Sequence, residues 1–217
     1  MSCQYKLVIF DWEGTLSDTV EDVLQLIARE AKALHLGDLD TSEARQYADL
    51  GLSMLLQKAF PQLNLKQQEE LYAVVQAAVT QHAVEPCLLP GAKELVQNLS
   101  LQGVHLAIAS NKGQQSLLRA MQTVGIDQWI GITRSAGQVA PKPSPEMLFE
   151  ILEHFGLSAQ DAVMIGDSIN DIKMAKDIQM DAIGFDLTHH NVAPLTEAGA
   201  RVVVHDYHQL GDFLNTH

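Results

Sequence analysis

Residues 6–15 read Lys6-Leu7-Val8-Ile9-Phe10-Asp11-Trp12-Glu13-Gly14-Thr15. An unbroken apolar run that ends abruptly in an acidic, glycine-containing turn describes a short strand buried on both faces, with Asp11 at its carboxyl end. Three later runs have the same character: residues 104–109 (VHLAIA), 162–165 (AVMI) and 201–204 (RVVV). Weaker strands are expected over residues 129–133 and 182–185. Strands this short and this continuously apolar suit a sheet covered by helices on both sides.

The segments between them carry helical periods. Val20, Val23, Leu24, Ile27, Ala31 and Leu34 repeat at helical spacing, with Thr19 and Asp22 placed to begin that helix. Leu71, Val74, Val75, Ala78 and Val79 form a second stripe, preceded by Asn64 and Gln67 at the spacing of a capping box. Ser144-Pro145 reads as a cap followed by a first-turn proline. Residues 17–86 are helical throughout, and strand–helix alternation resumes only from Pro90. The expected fold is therefore α/β, a doubly wound parallel sheet with right-handed crossovers and an inserted all-helical cap domain. Its expected domains are residues 1–16 with 87–217 for the core and 17–86 for the cap. A block inserted after the first strand belongs at the carboxyl edge of the sheet, where open α/β sheets bind ligands.

Composition bounds the partners. The chain has 217 residues, 47% hydrophobic and 19% charged, as in an ordinary globular protein. A formal net charge of −13 argues against nucleic acid or an anionic membrane surface as partner, since both need clustered Lys and Arg. A phosphate ester would then need local cations, from a lysine or a metal. Cys3 and Cys87 cannot build a disulfide framework, and they fit a reducing compartment. No segment reaches the roughly 18 consecutive apolar residues of a membrane span, and the N-terminus lacks a signal-peptide layout. A cytoplasmic location is expected, as a monomer or small homo-oligomer.

Polar residues gather after the strands. Asp11-Trp12-Glu13-Gly14-Thr15 follows the first, Ser110-Asn111-Lys112 the second, and Gly166-Asp167-Ser168-Ile169-Asn170-Asp171 the run at 162–165; Lys142 lies between Pro141 and Pro143. In a parallel sheet all carboxyl ends share one edge, so these residues converge. Such a set suits phosphoryl transfer. A carboxylate attacks phosphorus, carboxylates hold Mg2+, and a lysine and the metal offset phosphoryl charge. A hydroxyl and backbone N–H groups complete the cradle, while a second acid protonates the leaving alcohol and later activates water.

These motifs resemble those of the haloacid dehalogenase-like hydrolases, and within them the phosphoglycolate-phosphatase-type members with a helical cap. The similarity runs from Lys6 to about Phe185. The family's Asp-x-Asp-Gly-Thr run matches Asp11–Thr15 except at Glu13, its Ser/Thr matches Ser110, its lysine Lys142, and its Gly-Asp run Asp167 and Asp171. The resemblance implies that Asp11 is nucleophile and metal ligand, with Asp167 a further ligand and Asp171 a direct or water-mediated one. It implies that Glu13 is the general acid/base, with a backbone carbonyl on Mg2+. Ser110, Asn111, Lys142 and Thr15 would bind the phosphorylated substrate, with Lys142 linking it to the nucleophile.

The activity implied is a Mg2+-dependent phosphatase that hydrolyses a small phosphomonoester, phosphoglycolate-like or a sugar phosphate, through an aspartyl phosphate. Two alternatives stand beside it: a sugar-phosphate phosphomutase, and a weakly active phospho-ligand-binding protein. The second arises from Glu13, whose carboxylate reaches about 1 Å or more beyond the expected place, a displacement that can cost on the order of 10²-fold in rate. Trp12 is expected to pack; Lys112 and Arg134 are candidates for steering a charged substrate, and Gly51-Leu52-Ser53 for specificity against a plain helix–helix turn. His189-His190 is not expected to ligate metal, because adjacent side chains diverge.

Overall fold

Every residue of strand β1 (Leu7–Phe10) is buried, as its unbroken apolarity requires. The computed structural model describes residues 3–81 and 85–215. Five further strands join β1: β2 (His105–Ser110), β3 (Ile132–Ser135), β4 (Ala162–Gly166), β5 (Asp181–Phe185) and β6 (Val202–Val204). They form one sheet in the order β3-β2-β1-β4-β5-β6, and every pairing is parallel. Register places Phe10 beside Ile108 and Ile165, so β2 runs on to Ser110 and β4 to Gly166 beyond the end of β1. Strand β3 starts later than the hydrophobicity of residues 129–133 suggests. Trp129 closes a short 3-10 turn, the Gly131 amide makes a first bond to β2 at the Leu106 carbonyl (2.8 Å), and the ladder runs from Ile132.

The chain divides into two compact units, Met1–Ser17 with Leu88–His217 and Asp18–Cys87. The second unit contains α1 (Val20–Ala33), α2 (Thr41–Ala44), α3 (Leu52–Ala59) and α4 (Leu65–Thr80). The α1 stripe buries Leu24, Ile27 and Ala31 against Leu55, Leu56, Phe60, Leu71 and Val75, an apolar cluster of its own. Asn64 and Gln67 close both hydrogen bonds of a capping box at the start of α4. At the start of α1, the Val20 amide is taken by the Asp18 carboxylate at 3.2 Å. Gly51, at φ 82°, joins a 3-10 turn over Arg45–Leu50 to α3.

In the first unit, helices cover both faces of the sheet. The helices α5 (Ala92–Leu101) and α6 (Gln114–Val124) pack with α10 (Tyr207–Leu214) on one face, where Val8 and Phe10 point. The opposite face, reached by Leu7 and Ile9, receives α7 (Glu146–Phe155), α8 (Ile169–Asp177) and α9 (Val192–Ala198). The two-residue period of a strand thus splits one apolar run between two cores. Helix α7 begins one residue beyond the Ser144-Pro145 reading, with Pro145 at the cap position.

Candidate active site

The strand order reverses direction between β1 and β4, with β2 and β3 to one side and β5 and β6 to the other. Crossovers leave such a point in opposite directions and open a crevice at the carboxyl ends of its two strands. Asp11 leaves β1 there and Asp167 leaves β4. The backbone welds them together, the Asp11 amide donating to the Ile165 carbonyl at 2.9 Å.

Lys142 is the centre of the arrangement. Its side chain is 2% exposed, and Nζ lies 2.6 Å from Asp11 Oδ1 and 2.5 Å from Asp171 Oδ1. Its own amide donates to Asn111 Oδ1 at 3.0 Å, which ties it to the turn after β2. Asp171 is fully buried; its second oxygen accepts from the Ser168 amide at 3.1 Å and from the Ser168 hydroxyl at 2.8 Å. Burial acts against the Lys142 charge, but Asp11 and Asp171 outweigh it and hold the ammonium above its ordinary value. Burial pushes Asp11 up to about 7; Lys142 pulls it down and Asp171 raises it again. Asp167 is raised well above the usual carboxylate range by burial, then by Asp11 and Asp171.

A carboxylate oxygen from each of Asp11, Asp167 and Asp171 lies within 4.8 Å of the others. Three crowded acids served by one lysine lack positive charge, and a hard cation that takes oxygen ligands would supply it. The donor set therefore fits Mg2+. Two glycines make the crowding possible. A Cβ on Gly14, which sits at φ +76°, would lie 2.0 Å from Asp167 Oδ2. One on Gly166 would lie 2.3 Å from Asp171 Cγ.

The remaining expected residues take distinct places. Ser110 closes β2 almost fully buried, and its Oγ accepts from the Lys112 amide at 3.2 Å. Thr15, expected among the substrate-binding groups, is wholly buried, as Ser110 and Lys142 nearly are. Its hydroxyl makes a long 3.5 Å contact with Asp167 Oδ1, and its carbonyl accepts a short hydrogen bond from the Tyr207 hydroxyl. The Glu13 carboxylate does not join that cluster: Oε1 pairs with Lys112 Nζ at 2.7 Å. Trp12, between the two acids, turns into the core against α5, α6 and α10, fully buried. Arg134 is ion-paired to Glu150. His189 stacks on His205 rather than pairing with His190.

Sequence reasoning missed Ser168, Tyr207 and the Glu13–Lys112 pair. Ser168 lies three residues before Asp171 at capping-box spacing, a signal present in the sequence. Tyr207 comes from a distant helix and left none.

Residues 8–185 match the family described as haloacid dehalogenase-like hydrolase, and the chain belongs to that family. Among curated proteins it is 32% identical over 213 residues to Probable phosphatase IndB of Dickeya dadantii, covering 94% of this chain and 91% of that one. It is 30% identical over 183 residues to a phosphoglycolate phosphatase of Nitrosococcus oceani, covering 80% of each. Among solved structures, a predicted phosphoglycolate phosphatase from Haemophilus somnus superposes with a TM-score of 0.88 over 97% of this chain and 98% of that one, at 22% identity. That likeness concerns the fold. Among the described residues, no helix is long and apolar enough to cross a membrane.

Proposed function

We propose that this hydrolase is a Mg2+-dependent phosphatase acting on a small phosphomonoester, of the phosphoglycolate or sugar phosphate kind, with Asp11 as nucleophile. The observation that carries the reading is the buried Lys142 ammonium, bonded at once to Asp11 and Asp171 beside Asp167. In an acidic protein this is a local store of positive charge next to a carboxylate at the edge of the sheet. Relatives named as phosphatases, similar over most of their length, support the same assignment.

In this reading an Asp11 oxygen attacks phosphorus in line, and the bond to the ester oxygen breaks. Glu13 gives the departing alkoxide its proton. Glu13 then takes a proton from water, whose oxygen attacks the phosphoryl group, releases inorganic phosphate and restores the Asp11 carboxylate. Lys142 holds Asp11 in place and stabilises charge on the phosphoryl oxygens, assisted by Ser110 and Asn111. Asp11, Asp167, Asp171 and the Glu13 carbonyl would hold Mg2+, directly or through water. Bound there, the ion supplies Lewis-acid stabilisation of phosphoryl charge. Thr15 acts by steadying Asp167. The helical unit Asp18–Cys87, inserted directly after the Asp11–Thr15 turn, is assigned the part of a cap that selects the ester, with Gly51-Leu52-Ser53 within it. The free thiols Cys3 and Cys87 fit a reducing compartment, which supports a cytoplasmic reading.

The test is phosphate release across a panel of small phosphoesters with Mg2+. Release is expected for at least one, with loss in Asp11→Asn. No release from any ester, or release that survives Asp11→Asn, overturns the reading.

A further inference from the structure

The Asp11–Thr15 turn carries two acids, and each is met by a different lysine. Lys142 takes Asp11. Lys112, two residues beyond the end of β2, takes Glu13 at 2.7 Å, with side chains only 18% and 21% exposed. Both lysines are fixed by one turn: Asn111 accepts the Lys142 amide, and Ser110 accepts the Lys112 amide. The nucleophile and Glu13 are therefore gauged against the same three residues, Ser110-Asn111-Lys112. A glutamate has one more rotatable bond than an aspartate and needs an external partner to choose among its rotamers. A half-buried ion pair to a backbone-anchored lysine is such a partner.

From this geometry we infer that Lys112 is a positioning residue for Glu13, fixing the orientation of the longer carboxylate against the turn after β2. This inference rests on the reading of Glu13 as acid/base, and it reassigns Lys112 from steering of the substrate. An aspartate at position 13 would fall short of Lys112, so the lysine matters only while residue 13 is Glu.

The experiment is a double-mutant cycle on the full chain with Mg2+ and the best ester of the panel. Lys112→Met is expected to lower kcat by about 10-fold or more, within the about 10²-fold that a 1 Å misplacement costs, and to move KM by less than about threefold. Lys112→Arg restores most of the loss. In a Glu13→Asp background the same Lys112→Met change alters kcat by less than about threefold, since the partner is out of reach. Equal losses in both backgrounds, or a change confined to KM, would assign Lys112 to the ligand and overturn the inference. Wild-type release with its loss in Asp11→Asn checks the underlying function separately. An arm free of turnover uses lysine labelled with 13C for NMR. Glu13→Asp should shift the Lys112 resonance as Glu13→Gln does; a Lys112 signal indifferent to both changes refutes the pairing.

Discussion

Lys142→Met replaces the buried ammonium by an apolar chain of similar volume. It deletes the contacts of 2.6 Å to Asp11 and 2.5 Å to Asp171, while Asp171 keeps the Ser168 amide and hydroxyl on its other oxygen. Removing one side of a buried ion pair costs about 3–5 kcal/mol, because the other charge stays behind without compensation. In a protein of this length each kcal/mol moves Tm by roughly 2–4 °C, so a fall of roughly 6–20 °C is expected by calorimetry. Acidification relieves part of it. Burial already raises Asp11 to about 7, and without Lys142 the acid is raised further, so the variant gains stability relative to wild type as pH falls and the carboxyl protonates. Turnover should fall by about 10²–10³-fold through the lost electrostatic stabilisation. Adding Asp171→Asn to the variant should recover much of the Tm but not the rate, since it removes the stranded charge and not the need for a cation. A Tm within about 1 °C of wild type, or a double variant no more stable than the single, would refute the reasoning.

Three further outcomes follow from the same geometry. Gly166→Ala should abolish activity and lower Tm, because its Cβ would fall 2.3 Å from Asp171 Cγ; a variant with normal kcat would mean that Asp171 is free to move. In the metal-free protein, Asp11 binds its proton more tightly folded than unfolded, so its contribution to stability is lost as pH rises from about 4 through about 7. Mg2+ should accordingly raise Tm more at about pH 8 than at about pH 6, and an equal or opposite effect in thermal melts contradicts the assigned acids. Tyr207→Phe removes the hydrogen bond to the buried Thr15 carbonyl and should cost about 1–3 kcal/mol in denaturant unfolding, with no loss if that carbonyl finds another donor.

Much of this was legible in the chain. The run Leu7–Phe10 declares a strand buried on both faces, and its all-apolar code is what the two helical layers demand. Asp11, Ser110 and Asp167 were visible because chemistry-bearing residues at the ends of such strands converge wherever the sheet is parallel, and Lys142, in the loop after β3, stood out between Pro141 and Pro143. Strand order was not legible: nothing in residues 162–165 says that they pair with β1 rather than β2, since parallel neighbours are chosen by crossovers over long separations. The start of β3 was misplaced because Ile130 and Trp129 are apolar for packing around a turn, not within the sheet. Side-chain partnerships were hidden most deeply. Glu13 and Lys112 are 99 residues apart, and Tyr207 and Thr15 are 192 apart. No local pattern records such contacts; only the folded turn after β2 and the docking of α10 create them.

The most direct test of the central claim is to locate the covalent intermediate. The protein would be mixed with Mg2+ and its best phosphoester, quenched in acid within a turnover, digested and analysed by mass spectrometry. The phosphoryl group is expected on the peptide containing residues 6–15, at Asp11, and should be absent from Asp11→Asn. A phosphoryl group on any other residue, or one that still forms in Asp11→Asn, would contradict the account.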